Sequence, residues 1–91
     1  MKKFNNIEYK EFSTEDGKNY CVSVRVKVNP YLVDVFRHLL YSENRKVVLG
    51  VYPKREGIIE FDITDIRLAN DVCDKVFKLA DIKYEFVSIV D

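Results

Sequence analysis

The feature that most constrains the fold is a nine-residue run of alternating side chains, Tyr20–Val28. Its apolar members, Tyr20 and four valines, fall on one face, and small or polar side chains fall on the other. A period of two predicts a strand in a sheet that buries one face only. Asn29 and Pro30 follow, and they favour the start of a helix, because asparagine caps helices and proline suits their first position.

Apolar spacing predicts two amphipathic helices. At the α-helical rotation of ~100° per residue, apolar side chains share one face in two segments, residues 30–42 and residues 65–81. In the second helix, Asp71 with Lys75 and Asp74 with Lys78 are spaced four residues apart. These two pairs are expected to form ion pairs on the polar side, because side chains four residues apart are neighbours on a helix.

Three more strands are predicted, at residues 45–52, 58–64 and 84–90, with a hairpin loop at residues 53–57. The order strand–helix–strand–strand–helix–strand predicts an α+β fold, the ferredoxin-like α/β plait (βαββαβ). In this fold two helices lie on one face of a four-stranded antiparallel sheet. The crossover rule further predicts that Tyr20–Val28 and residues 58–64 are parallel central neighbours.

The N-terminal segment does not fit the plait without an addition. Residues 4–12 predict an extra strand, and the Asp16-Gly17 pair behind it is a hairpin signal. The first plait strand already has neighbours on both sides, so the extra strand would pair at a sheet edge, lie over the open face, exchange between protomers, or contradict the plait. We predict one domain over residues 1–91, with an arm at residues 1–19 and a core at residues 20–91.

Charge and composition exclude several classes of protein. Fifteen basic and fifteen acidic residues give a formal net charge of +0 at pH 7, which removes the field used in non-specific nucleic-acid or anionic-membrane binding. The basic N-terminus is not followed by the apolar region of a signal peptide, and no apolar run approaches ~18 residues, so we expect neither a signal peptide nor a membrane span. The two cysteines are far apart. We therefore expect a cytoplasmic protein with free thiols, no membrane contact, no metal and no other cofactor, with a single disulfide between Cys21 and Cys73 as the alternative.

The charges also test the predicted sheet. Arg25 and Lys27 on the outward face of one central strand are expected to lie beside Glu60 and Asp62 on the other. No aromatic side chain occupies these outward positions, so the base-stacking surface of an RNA-recognition motif is missing. Nucleic acid is therefore not an expected partner. Glycine-rich phosphate loops and serine-nucleophile motifs are also absent from the sequence.

Two polar groups of residues remain as candidate sites. His38 is the one histidine of the sequence and hence its only ordinary general-base candidate, and it follows Asp34 by four residues, with Tyr31 and Tyr41 on the same stripe. These four residues form a possible recognition patch, although a solvated helix face is the simpler interpretation. Lys54 and Arg55 in the hairpin loop form a possible anion contact. The sequence predicts no catalytic residue.

The most informative remaining feature is a set of apolar residues that the predicted core does not bury. If the second and third predicted core strands turn their alternating apolar faces toward the helices, the residues that point to the open side of the sheet are Val48, Tyr52 and Ile58. The residues facing the helices would then be Val47, Leu49, Val51, Ile59, Phe61 and Ile63. The last strand adds either Tyr84 and Phe86 or Val87 and Ile89 to the open side. Such a patch is normally covered. Two covers are available: a second copy of the chain, or the N-terminal segment with its apolar residues Phe4, Ile7, Tyr9 and Phe12.

The function predicted from this pattern is protein–protein contact by a non-enzymatic protein. Its interaction residues would be Val48, Tyr52, Ile58, Tyr84 and Phe86. The partner would be a second copy, as in a homodimer, or another protein. The alternatives are a small-molecule sensor similar to the ACT domain, an RNA-associated accessory protein, and a small plait enzyme.

Overall fold

A computed structural model describes residues 2–14, 17, 20–50 and 52–89, which form two α-helices and one six-stranded antiparallel sheet. The strands are β1 (Lys2–Phe4), β2 (Ile7–Ser13), β3 (Tyr20–Val28), β4 (Val48–Leu49), β5 (Ile58–Ile63) and β6 (Tyr84–Val87). The helices are α1 (Val33–Glu43) and α2 (Ile66–Ala80), with 3₁₀ turns at Pro30–Leu32 and Lys54–Glu56. The predicted α+β class and its two helices are confirmed, and the sheet has more strands than predicted.

Strand β3 lies at the centre of the sheet. β5 pairs with one of its edges, from Val22 to Lys27. The opposite edge is shared: β2 pairs with residues 20–23, and β6 pairs with residues 25–28. Because β6 is four residues long and β3 is nine, half of that edge is left for β2. The N-terminal segment therefore extends the sheet and does not lie over its open face.

The direction of the central pair differs from the prediction. β3 and β5 run antiparallel, so the expectation of parallel neighbours is wrong. The crossover rule relates strands joined by a helix, which are β3 with β4 and β5 with β6. In each of these pairs one strand lies between the two, and that strand runs the opposite way.

The register corrects the predicted charge pairs. Arg25 lies opposite Glu60, as expected, and the two side chains form an ion pair of 3.4 Å. Lys27 lies opposite Ile58, and Asp62 lies opposite Ser23. The second expected pair, Lys27 with Asp62, does not form because the two residues are at different levels of the sheet.

The N-terminal strand predicted at residues 4–12 is divided by a tight turn. Asn5 and Asn6 both have positive φ, 48° and 71°, and they connect β1 to β2 with Phe4 opposite Ile7. Two left-handed residues are typical of a type I′ hairpin turn, and asparagine tolerates this conformation better than most residues. β2 also pairs antiparallel with β3, in agreement with the second hairpin predicted around Asp16, which itself lies outside the described residues.

Strand β4 is much shorter than the eight residues predicted. Asn44 accepts a hydrogen bond from the Lys46 N–H through its side chain at 2.9 Å, and one from the Val47 N–H through its carbonyl at 3.2 Å. This turn occupies the first half of the predicted strand. Two residues, Val48 and Leu49, are left to pair with β5.

The hydrophobic core lies between the sheet and the helices. α1 and α2 contact each other and both contact β5, so they cover the same face. Asn29 caps the first 3₁₀ turn, and Asp65 caps α2 through a hydrogen bond from the Arg67 N–H at 2.7 Å. The largest fully buried side chains are Val24, Val26, Val33, Phe36, Leu40, Ile59, Phe61, Cys73, Val76 and Ile89. Within the described residues no helix is long and apolar enough to cross a membrane.

The acidic and basic residues of α2 pair differently from the prediction. Lys75 lies 3.9 Å from Glu43 of α1, and Asp74 accepts a hydrogen bond of 2.6 Å from the Tyr84 hydroxyl. The structure therefore uses these side chains to join α2 to its neighbours. The expected pairs within the helix do not appear among the described residues.

Candidate functional site

The sheet face opposite the helices, called the open face here, carries the outward residues of β3 and the residues beside them. In an antiparallel ladder, residues directly opposite one another share a face. The register therefore places on this face Cys21, Ser23, Arg25 and Lys27 of β3, Ile58, Glu60 and Asp62 of β5, with Lys10, Phe12, Val48, Glu85 and Val87 from the flanking strands. Among the described elements, no helix covers it.

Glu60 is the centre of a polar network on the open face. Its Oε2 accepts hydrogen bonds from the Tyr52 hydroxyl at 2.5 Å and from Nε of Arg25 at 3.4 Å. Its Oε1 accepts one from the Ser23 hydroxyl at 3.2 Å. The Arg25 guanidinium also lies 5.5 Å from the centroid of the Tyr52 ring, within range of a cation–π contact. The negative charge of Glu60 is therefore compensated within the chain.

The two carboxyl groups of this face have opposite pKa shifts. Burial alone would raise the pKa of Glu60, but the hydrogen bonds from Tyr52 and Ser23 and the charge of Arg25 outweigh it, and the pKa lies below its ordinary value. Burial raises the pKa of Asp62, and the neighbouring negative charge of Glu60 adds to this rise. Asp62 is therefore the more easily protonated of the two.

Apolar side chains surround this network. Val48 is 62% exposed and Phe12 is 38% exposed, while Cys21, Ile58 and Val87 are half-buried. The aromatic ring of Tyr52, beside Arg25, adds to the apolar surface of this face. The open face thus has exposed and half-exposed apolar groups around a charge-compensated centre, and its other charged residues, Lys10, Lys27, Asp62 and Glu85, lie toward its two ends.

Three of the five predicted interaction residues, Val48, Tyr52 and Ile58, lie on the open face. Tyr84 and Phe86 do not, which corrects their expected placement. They lie opposite Val28 and Val26, on the helix-covered face, and the Tyr84 ring centroid is 6.1 Å from that of Phe36. The two orientations of β6 could not be distinguished in the sequence because each face offers two large apolar residues, Tyr84 and Phe86 on one and Val87 and Ile89 on the other.

The other predicted residues divide into two groups. Tyr31 and Asp34, at the start of the first helical segment, line an open groove of ≈ 580 Å³ together with Pro30, Lys54 and Arg55. Lys54 Nζ lies 2.5 Å from Asp34 Oδ2. The structure therefore joins half of the predicted polar patch to the predicted anion contact. We call this feature the Tyr31 groove.

His38 and Tyr41 lie on α1 outside the Tyr31 groove, and both are exposed. Asp34 contacts Lys54 and not His38, so the expected local pair of Asp34 and His38 is not observed among the described residues. The lysine reaches Asp34 because the 3₁₀ turn before β5 packs against the 3₁₀ turn before α1. This tertiary contact has no signature in the helical spacing.

The thiols occupy different environments. Cys73 is fully buried in the core, and burial raises the pKa of its thiol. Cys21 lies half-buried on the open face, and both cysteines are free. Over the described part of the chain, no group of three or more potential metal-binding side chains comes together.

Sequence reasoning did not identify Ser23 and Tyr52 as partners of Glu60. The contact of Ser23 with Glu60 could have been predicted from the strand pattern, because Ser23 lies two residues before Arg25 and therefore on the same face. Tyr52 follows β4 by three residues, and no pattern in the sequence predicts that its hydroxyl reaches Glu60. No family model matches the chain, and no curated protein or solved structure is similar enough to match it.

Proposed function

We propose that the protein acts through protein–protein contact and that its open face binds a second copy of the chain. The observation that carries the proposal is the uncovered sheet face, with Val48 and Phe12 exposed on it. Of the two available covers, the N-terminal segment lies in the plane of the sheet. Ile7 and Tyr9 of that segment are buried in the core. A second copy is the cover that remains.

The charges of the open face favour self-association. Arg25 and Glu60 compensate each other at its centre, so two copies would not repel each other there. Lys27 lies opposite Glu85 toward one end of the face, and Asp62 and Lys10 lie on either side of Ser23 toward the other. A two-fold axis across the strands at the level of Arg25 would bring Lys27 of one copy toward Asp62 of the other. Such an interface is isologous, the usual arrangement in homodimers.

We also propose that β3 to β6 and the two helices are a ferredoxin-like plait with an N-terminal hairpin added. The order β6-β3-β5-β4, with all neighbours antiparallel, supports this assignment. β1 and β2 are the addition, and they use the part of β3 that the short β6 leaves unpaired. In this fold two open sheet faces can pack against each other at a spacing of about 10 Å.

Sedimentation equilibrium of matched variants tests the proposed dimer. Val48 on the open face is 62% exposed, and Leu79 on α2 is 66% exposed. Val48→Asp places an uncompensated charge in the interface and is expected to give a monomer, whereas Leu79→Asp is expected to leave the dimer intact. A wild-type protein that stays monomeric at about 100 μM would contradict the proposal, since stable interfaces of standard size are tighter than this.

A further inference from the structure

We propose that the Tyr31 groove binds a small aromatic molecule that carries one anionic group, a carboxylate or a phosphate. The groove lies beside the two 3₁₀ turns, at the end of the sheet where β3 ends and β5 begins. It is separate from the open face, so this site does not depend on the proposed dimer.

The walls of the groove are held by the backbone of both turns. The Asn29 side chain accepts a hydrogen bond from the Tyr31 N–H at 3.0 Å. Across the groove, the Gly57 N–H donates to the Lys54 carbonyl at 3.0 Å, and the Gly57 carbonyl accepts from the Val28 N–H at 2.8 Å. The turn that carries Lys54 is thereby tied to the end of β3, and the groove exists before any ligand binds.

The charge of the groove fits a single anion. Its charged side chains are Lys54, Arg55 and Asp34, and Asp34 pairs with Lys54. Within the described residues, no acidic side chain contacts Arg55. One positive charge therefore remains, on a guanidinium whose planar fork can hold a carboxylate or a phosphate through two parallel hydrogen bonds.

The shape of the groove fits an aromatic ring. Tyr31 is 93% exposed, which is unusual for a side chain of this size, and it lines the groove beside Pro30. A flat ring stacked on Tyr31 would cover its exposed face. The volume of ≈ 580 Å³ lies within the range of pockets for small molecules, about 300–1,000 Å³. Aromatic contact and anion contact are available within one groove.

Titration with defined probes tests the proposal. Indole-3-acetate and adenosine monophosphate each combine a ring with an anionic group, while acetate and inorganic phosphate lack the ring and tryptamine carries the opposite charge. We expect at least one of the two ring anions to bind with a dissociation constant below about 1 mM by isothermal titration calorimetry. The three comparison compounds should bind at least about tenfold more weakly. Equal binding of ring anions and ringless anions would overturn the proposal, as would no binding of either ring anion.

Matched variants locate the site. Arg55→Gln and Tyr31→Ala are each expected to weaken binding of the ring anion about tenfold or more. Arg45→Gln and Tyr41→Ala change exposed residues of the same types outside the groove and should leave the affinity unchanged. All four positions are exposed, so the fold should survive each change, and circular dichroism verifies this. Unchanged affinity in Arg55→Gln would overturn the proposal.

Discussion

The hydroxyl of Tyr52 donates a hydrogen bond to Oε2 of Glu60 at 2.5 Å, on the sheet face opposite the helices. This contact ties the chain after β4 to the middle of β5. The same oxygen accepts from Arg25 of β3, so one carboxylate joins three segments of the sheet. The polar network of the open face therefore connects β3, β5 and the chain after β4.

Removal of the Tyr52 hydroxyl tests this network. Tyr52→Phe keeps the ring over Arg25 but leaves Glu60 without its shortest hydrogen bond. We expect the free energy of unfolding at pH 7 to fall by about 1 kcal/mol, because Glu60 is partly exposed and water replaces some of the lost contact. Urea unfolding at one fixed protein concentration measures the change. Tyr31→Phe, at an exposed ring, is the control, and an equal effect there would contradict the account.

The pH dependence of stability should have opposite signs at Asp62 and Glu60. Folding raises the pKa of Asp62 above its ordinary value of 3.8. Its contribution to stability is therefore present below pH 3.8 and is lost as the pH rises through the folded-state pKa. At a protein concentration below the dimerisation range, where Asp62 does not meet Lys27 of a second copy, we expect Asp62→Asn to stabilise the protein at pH 7, by less than about 1 kcal/mol, and this gain should shrink toward pH 3.8.

Folding lowers the pKa of Glu60 below its ordinary value of 4.5. Its contribution is present above pH 4.5 and is lost as the pH falls through the folded-state pKa. Glu60→Gln should therefore destabilise the protein at neutral pH and have a smaller effect in acid. Urea midpoints between pH 3 and pH 7 measure both variants, with Asp71→Asn on the exposed side of α2 as the control. The same sign of change at both positions would contradict the assigned environments.

Thiol labelling should distinguish the two cysteines. Cys21 on the open face should react with a thiol reagent in the folded protein, whereas buried Cys73 should react only on unfolding. If a second copy covers the open face, labelling of Cys21 should also slow as the protein concentration rises. Cys21→Ser should abolish the fast phase. A Cys21 rate that is independent of concentration across the dimerisation range would contradict coverage of this face.

Gly57 should be far less replaceable than Gly17, although the two have almost the same φ, +67° and +68°. A Cβ added at Gly57 would collide with the carbonyl oxygen of Val28. A Cβ added at Gly17 would have no atom within 4 Å of it. We expect Gly17→Ala to cost about 1 kcal/mol and Gly57→Ala more than about 2 kcal/mol. Thermal unfolding compares the two, and equal losses would contradict the contact with β3.

The long, periodic segments were the predictable part of the fold. Alternation identified β3 and β5, and helical spacing identified α1 and α2, because each of these elements buries one regular face. The predicted length of β4 was wrong because Asn44 forms a turn with the backbone N–H groups of Lys46 and Val47. The turn at Asn5-Asn6 was missed because its residues sit inside an otherwise strand-like run.

Individual residues of the candidate sites could be predicted from the sequence, but their grouping in space could not. The exposed position of Val48 follows from alternation, but the orientation of β6 does not, since Tyr84, Phe86 and Val87 are all apolar. Tyr31 and Lys54 are far apart in the chain, and their groove depends on the packing of two 3₁₀ turns. Contacts of this kind are set by tertiary structure, which a single sequence does not display.

The most direct test of the central claim is an isotope-filtered NMR experiment on a mixture of labelled and unlabelled chains. If the open face binds a second copy, intermolecular contacts should join the methyl groups of Val48, Ile58 and Val87 to the same face of the other chain. Val48→Asp should remove these contacts while the signals of the core remain. Intermolecular contacts confined to the helices, or none at all, would contradict the claim.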